Sequence, residues 1–168
     1  MIYRRKLLIL IVHLVFRIRR FNNKCVRKSA KGITNKTILE IGSNGYSYKH
    51  FFDQSNYFIQ SDIAGNFRKV DVTKMKYKNE FDMVVCMNVL EVVYEFEKAI
   101  DNVYSALNPT GIALFHIPCF YPLHDEPNDY WRFTEHSLRI LFSQFREVKI
   151  KHSCIRRYPF SYYLEVKK

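Results

Sequence analysis

The apolar positions of this chain follow two regimes. From residue 33 onward, short apolar runs alternate with one-faced stretches and turn residues, which predicts strands alternating with helices. Thr37-Ile-Leu-Glu-Ile41 reads as a strand running into the turn Gly42-Ser-Asn-Gly45, with a short helix over 46–54 behind it. Residues 57–61 form a second strand candidate ending at Asp62, 67–71 a weaker third, and 81–87 a strongly apolar fourth. Phe96, Ala99, Ile100, Val103 and Leu107 recur at helical spacing, which predicts a helix over 95–107 stopped by Asn108-Pro-Thr-Gly111. Residues 112–117 read as the next strand. Thr134 is placed to cap a helix carrying Leu138, Leu141, Phe142 and Phe145, and 148–150 and 162–166 are the last strand candidates. This order predicts an α/β domain over 32–168, a doubly wound, mostly parallel sheet with no second domain.

Residues 1–31 are different. Ten residues, Leu7 to Phe16, are apolar apart from His13, and a helix of that length reaches about 15 Å, half of a bilayer core. A complete span is therefore disfavoured, and Arg17-Ile-Arg-Arg20 stands where a signal peptidase would need small residues. Two readings stay open: a helix lying on an anionic membrane surface, or a helix packed on the domain that follows.

Charge sharpens the division. The net charge is +11, yet ten basic residues and no acidic residue lie within 1–31, leaving 17 basic and 16 acidic residues for the rest. The body is close to neutral, so nucleic acid is not the expected partner. Four separate cysteines, with no C-x-x-C pair, suit reduced thiols in a cytoplasmic protein. His116, Cys119 and His124 have no common metal-ligand spacing, and no metal is expected.

In a doubly wound sheet, ligands bind at the carboxyl ends of the strands. Glu40, Asp62 and Asp71 fall there, and Asp62 lies 22 residues past Glu40, near the position from which a carboxylate reaches ribose hydroxyls. From spacing alone, a nucleoside site and simple strand-end carboxylates are equally good readings. No G-x-G-x-x-G and no P-loop occurs.

Several segments, in order, resemble the class I S-adenosylmethionine-dependent methyltransferases. They are Ile38 to Ser47, the strand ending in Asp62, Val70-Asp71, Phe81 to Glu91, Leu107-Asn-Pro-Thr-Gly111 and Pro118 to Thr134. The last resembles a loop of a small bacterial subgroup linked to surface-glycan pathways. The resemblance implies a minimal Rossmann-like fold with S-adenosyl-L-methionine as cofactor. It implies that Glu40, Gly42, Asn44 and Gly45 shape the methionine end, Asp62 holds the ribose, Asp71 and Val72 face the adenine, and Met87 and Asn88 line the floor. His124 would be a general base, with Asp125 or Asp129 orienting it, and Tyr130, Trp131 and Arg132 would meet the acceptor. The chain departs from the family pattern at Asn44, Tyr46, Val92 and Thr110.

The expected function is O-methylation of a saccharide or lipid-linked small molecule, by a cytoplasmic protein held at the inner membrane face through residues 1–31. The rivals are a methyltransferase-like binding protein without turnover, revealed by cofactor binding alone, and an RNA methyltransferase, revealed by steeply salt-dependent RNA binding.

Overall fold

The computed structural model describes residues 2–42, 46–52, 55–60 and 71–168, with backbone alone for 2–11 and 57–60. Ser43, Asn44, Gly45, Asp62 and most of the expected third strand over 67–71 lie outside the described residues.

Helix α1 (Ile2–Ala30) leads into β1 (Thr37–Ile41) and β2 (Asn56–Gln60). Strand β3 (Phe81–Met87), helix α2 (Phe96–Ala106), strand β4 (Leu107–Pro118) and helix α3 (Glu135–Leu141) follow, then β5 (Glu147–Ile155) and β6 (Tyr158–Lys167). The sheet order is β2-β1-β3-β4-β6-β5. The first four strands in that order are parallel, and β6 runs antiparallel to both β4 and β5. The predicted mostly parallel α/β sheet is the observed one.

Period-2 alternation sends each strand's side chains to two cores. Leu39, Ile41, Val84, Cys86, Ala113, Phe115, Leu164 and Val166 face α2 and α3. Ile38, Met83, Val85, Met87, Leu114 and Tyr163 face the second half of α1, which buries Cys25, Val26 and Ala30 against them. Polar contacts pin that half of the helix as well: Asn22 Nδ2 donates to Tyr48 Oη at 2.6 Å, and Ser29 Oγ to Glu165 at 2.7 Å. Residues 18–30 thus pack on the domain, while Val12 and Phe16, nearer the amino end, stay exposed.

Three local expectations change. The helix over 46–54 contracts to one 3-10 turn, Lys49–Phe51. The Glu40 carboxylate accepts from Ser47 Oγ at 2.6 Å and from the Tyr48 amide at 3.1 Å, which ties up that backbone before a helical turn can start. Strand β4 begins at Leu107 rather than 112. Its register jumps from Phe81↔Leu107 to Met83↔Ile112, so residues 108–111 bulge where Pro109 has no amide to donate. The final hairpin is longer than its apolar positions suggested. Thr134 caps α3 as expected, in a reciprocal box with Ser137.

Candidate active site

The carboxyl ends of β1, β3 and β4 open into a cavity of about 310 Å³, at the small end of ligand pockets. One wall is helix α1, through Val15, Ile18, Arg19 and Asn22; the floor holds Gly42, Met87, Asn88, His116 and Pro118. Tyr46 and Tyr48 close one side, and Tyr121, His124 and Asp125 the top. The guanidinium of Arg19 stacks 4.1 Å from the Tyr46 ring centre, joining the helix to the turn after β1.

Gly42 sets the close approach of the floor. Its φ is +82°, and a Cβ there would lie 2.6 Å from the Met87 carbonyl oxygen and 2.3 Å from a Val89 methyl. Glu40, buried behind it, does not line the cavity but holds the segment that presents Tyr46 and Tyr48. Asn88 turns with φ +55°, its amide donating to the His116 carbonyl at 3.0 Å and its Oδ1 meeting His116 Nδ1. His116 is fully buried, and burial lowers it to about 4. Its Nε2 and the Oδ1 of Asn22 have no partner among the described residues.

The loop after β4 is locked from beneath. Glu91 is buried, its carboxylate unpartnered except for His124 Nε2 at 3.5 Å, and burial pushes it up. That carboxylate beside His124 raises the imidazole in turn, against the pull of partial burial. Nδ1 of His124 stands 3.4 Å from Asp129, which Arg132 grips at 2.6 Å and holds down at about 2. The Glu91 carbonyl also accepts from the Tyr130 and Trp131 amides.

The structure therefore brings Gly42, Met87, Asn88, His124 and Asp125 to one cavity. It does not bring Tyr130, Trp131 or Arg132 there: Trp131 packs on Phe96 and donates to the Val93 carbonyl, and Tyr130 bonds Asn128. Asp71, expected at the adenine, does not line the cavity; it caps the 3-10 turn Val72–Lys74 by accepting from Thr73, and Val72 is buried in the core under α2. Asp129 is a brace within the loop rather than a wall of the cavity. Both nitrogens of His124 face carboxylates, which favours its charged form and braces the loop. Sequence reading missed Asn22, Arg19, Tyr48 and Glu91, and set His116 aside as a strand residue. No group of three His, Cys, Asp or Glu residues suited to a metal occurs among the described residues.

A methyltransferase-domain family model matches residues 16–154, spanning the cavity wall, the sheet and the loop. The chain belongs to this methyltransferase family. S-adenosylmethionine is the family's cofactor. Among solved structures, the chain is similar to the CurJ carbon methyltransferase, at 12% identity over 89% of this chain and 55% of that one, TM-score 0.71. It is also similar to the 1,6-didemethyltoxoflavin-N1-methyltransferase of Burkholderia thailandensis, solved with its namesake ligand and S-adenosylhomocysteine, at 13% over 98% and 89%, TM-score 0.64. The N-methyltransferase NodS of Bradyrhizobium japonicum WM9 is similar at 15% over 90% and 96%, TM-score 0.66. At these identities the likeness is one of fold, and the chain spans about half the length of the CurJ methyltransferase. No curated protein matches by sequence. The residues fit the cofactor in that the cavity floor at Gly42 is bare backbone with no room for a side chain.

Proposed function

We propose that this methyltransferase O-methylates a saccharide or lipid-linked small molecule at an anionic membrane surface. The observation that carries the reading is that the basic helix α1 itself forms a wall of the cavity at the strand ends. An acceptor that reaches the site along α1 therefore arrives past Val12 and Phe16, exposed at 44% and 60%, and past the exposed Arg17 and Arg20. No helix among the described residues is long and apolar enough to cross a membrane, so the contact proposed is with the surface.

S-adenosylmethionine supplies a methyl group on a sulfonium that leaves readily. The chain's task is to hold nucleophile and methyl about 3 Å apart and to exclude water. Gly42 and Met87 would hold the cofactor's methionine end on a floor of bare backbone, and Asp62, outside the described residues, is the ribose partner the resemblance implies. Val15 and Ile18 of α1 and the ring of Tyr48 keep the wall dry. The Glu91–His124–Asp129–Arg132 chain fixes the loop that carries Tyr121 and Asp125 over the cavity.

The test is transfer of tritiated methyl from S-adenosylmethionine to octyl glucoside and to a lipid-linked saccharide fraction, with total RNA in parallel, in the presence of phosphatidylglycerol vesicles. Label in the saccharides, raised by the vesicles, supports the reading. Label in RNA alone refutes it.

A further inference from the structure

His124 cannot serve as a free base while both its nitrogens face carboxylates, and a hydroxyl nucleophile needs a group to receive its proton. His116 offers one. It lies within the buried stretch of β4 and lines the cavity beside Met87 and Asn88. Nδ1 of the ring meets Oδ1 of Asn88, an oxygen that can only accept, so the ring hydrogen sits on Nδ1. That leaves Nε2 with an unshared pair, fully buried and without a donor among the described residues. A buried acceptor left unmatched is destabilising, and a donor entering the cavity removes that penalty. Oδ1 of Asn22, on the facing helix, is a second such acceptor at the same cavity.

We propose that His116 Nε2 accepts the hydrogen of the acceptor's nucleophile, so that the substrate is a hydrogen-bearing oxygen or nitrogen, an alcohol or amine, and not a carboxylate. This rests on the methyltransferase reading above. As the acceptor's oxygen forms its bond to the methyl carbon, the carbon–sulfur bond breaks and its electron pair stays on sulfur. The oxygen–hydrogen bond then gives its proton to Nε2. The products are the methyl ether, S-adenosylhomocysteine and an imidazolium that still donates its Nδ1 hydrogen to Asn88 Oδ1. A carboxylate would bring a second lone pair against Nε2 with no hydrogen between them, and the cavity offers it two acceptors where it needs donors. Asn88 is a positioning residue: its Oδ1 chooses which nitrogen is free.

The experiment uses the full chain labelled with ¹⁵N-histidine, with S-adenosylhomocysteine bound. Two-bond proton–nitrogen spectra are expected to show His116 neutral between pH 5.5 and 8, with hydrogen on Nδ1 and none on Nε2. Hydrogen on Nε2, or an imidazolium in that range, overturns the proposal. In Asn88→Asp the stronger acceptor at Nδ1 should raise the titration of His116; an unmoved titration also overturns it. His116→Gln should bind S-adenosylhomocysteine within 2-fold of wild type and transfer methyl to octyl glucoside or octylamine at least about 100-fold more slowly. Transfer to octanoate, or undiminished transfer by the variant, overturns it. If none of these probes accepts methyl, the tautomer decides. Failure of wild type to bind S-adenosylhomocysteine by calorimetry defeats the methyltransferase reading instead, whatever the tautomer.

Discussion

Replacing Gly42 by alanine tests the floor of the cavity, and the structure lets its effect be divided. The new Cβ would lie 2.6 Å from the Met87 carbonyl oxygen and 2.3 Å from a Val89 methyl. The methyl can turn away, but Met87 is paired with His116 across the sheet, so its carbonyl cannot move without breaking β3 from β4. Crowding of this kind costs about 1–3 kcal/mol. A side chain held at φ +82° adds about 1–2 kcal/mol. The expected loss is thus about 2–5 kcal/mol, seen as a melting temperature lower by about 4–20 °C for a domain of this size. Gly32 is the internal control. Its φ is +80°, but nothing lies within 4 Å of its Cβ position. Gly32→Ala should therefore lose only the conformational part, about 1–2 kcal/mol, and bind S-adenosylhomocysteine normally. Urea denaturation and calorimetric titration of both variants decide the matter. Equal destabilisation of the two, or unimpaired ligand binding by Gly42→Ala, would refute the close approach.

Other consequences are as direct. Deleting residues 1–31 exposes Ile38, Met83, Val85 and Leu114 on the sheet; the truncated chain should lose its dispersed methyl spectrum, and a well-folded product would contradict the packing of α1. His116 is lowered to about 4 by burial. Its contribution to stability is therefore full above about pH 6.5 and is lost as pH falls through about 4, up to about 3 kcal/mol. Urea midpoints between pH 7 and 4 read this directly, and His116→Gln should flatten that part of the profile. His124 shifts the other way, so its pairing with Glu91 and Asp129 is complete below its ordinary value and lost as pH rises through the raised one. Amide exchange at Tyr130 and Trp131, which donate to the Glu91 carbonyl, should accelerate over that rise beyond the ordinary base-catalysed trend, and Glu91→Gln should remove the excess.

The parallel sheet was readable because β1, β3 and the core of β4 are short apolar runs bounded by turn residues, and α2 carries an unbroken helical stripe. The role of α1 was not. Its buried face runs Ile18, Asn22, Cys25, Val26, Ser29 and Ala30, and two of those positions are polar because they bond Tyr48, Glu165 and Tyr163 across the interface. A stripe interrupted by polar residues that bond across the interface looks from sequence like a solvated basic helix. The site was half readable for a similar reason. Gly42, Met87 and Asn88 lie at strand ends, where position in the chain fixes position in the fold. Tyr130, Trp131 and Arg132 sit in a loop whose path depends on the backbone carbonyl of the buried Glu91, and that long-range anchor leaves no local pattern. His116 was passed over because a histidine in a buried strand looks like core until its unpartnered nitrogen is seen.

The most direct measurement is calorimetric titration of the 168-residue chain with S-adenosylhomocysteine, with Gly42→Ala and Trp131→Ala alongside. The account predicts micromolar binding by wild type, retained in Trp131→Ala, whose side chain packs away from the cavity, and lost in Gly42→Ala. A well-folded wild-type protein that releases no heat and gains no thermal stability with the ligand would contradict the claim that this cavity is a methyltransferase site.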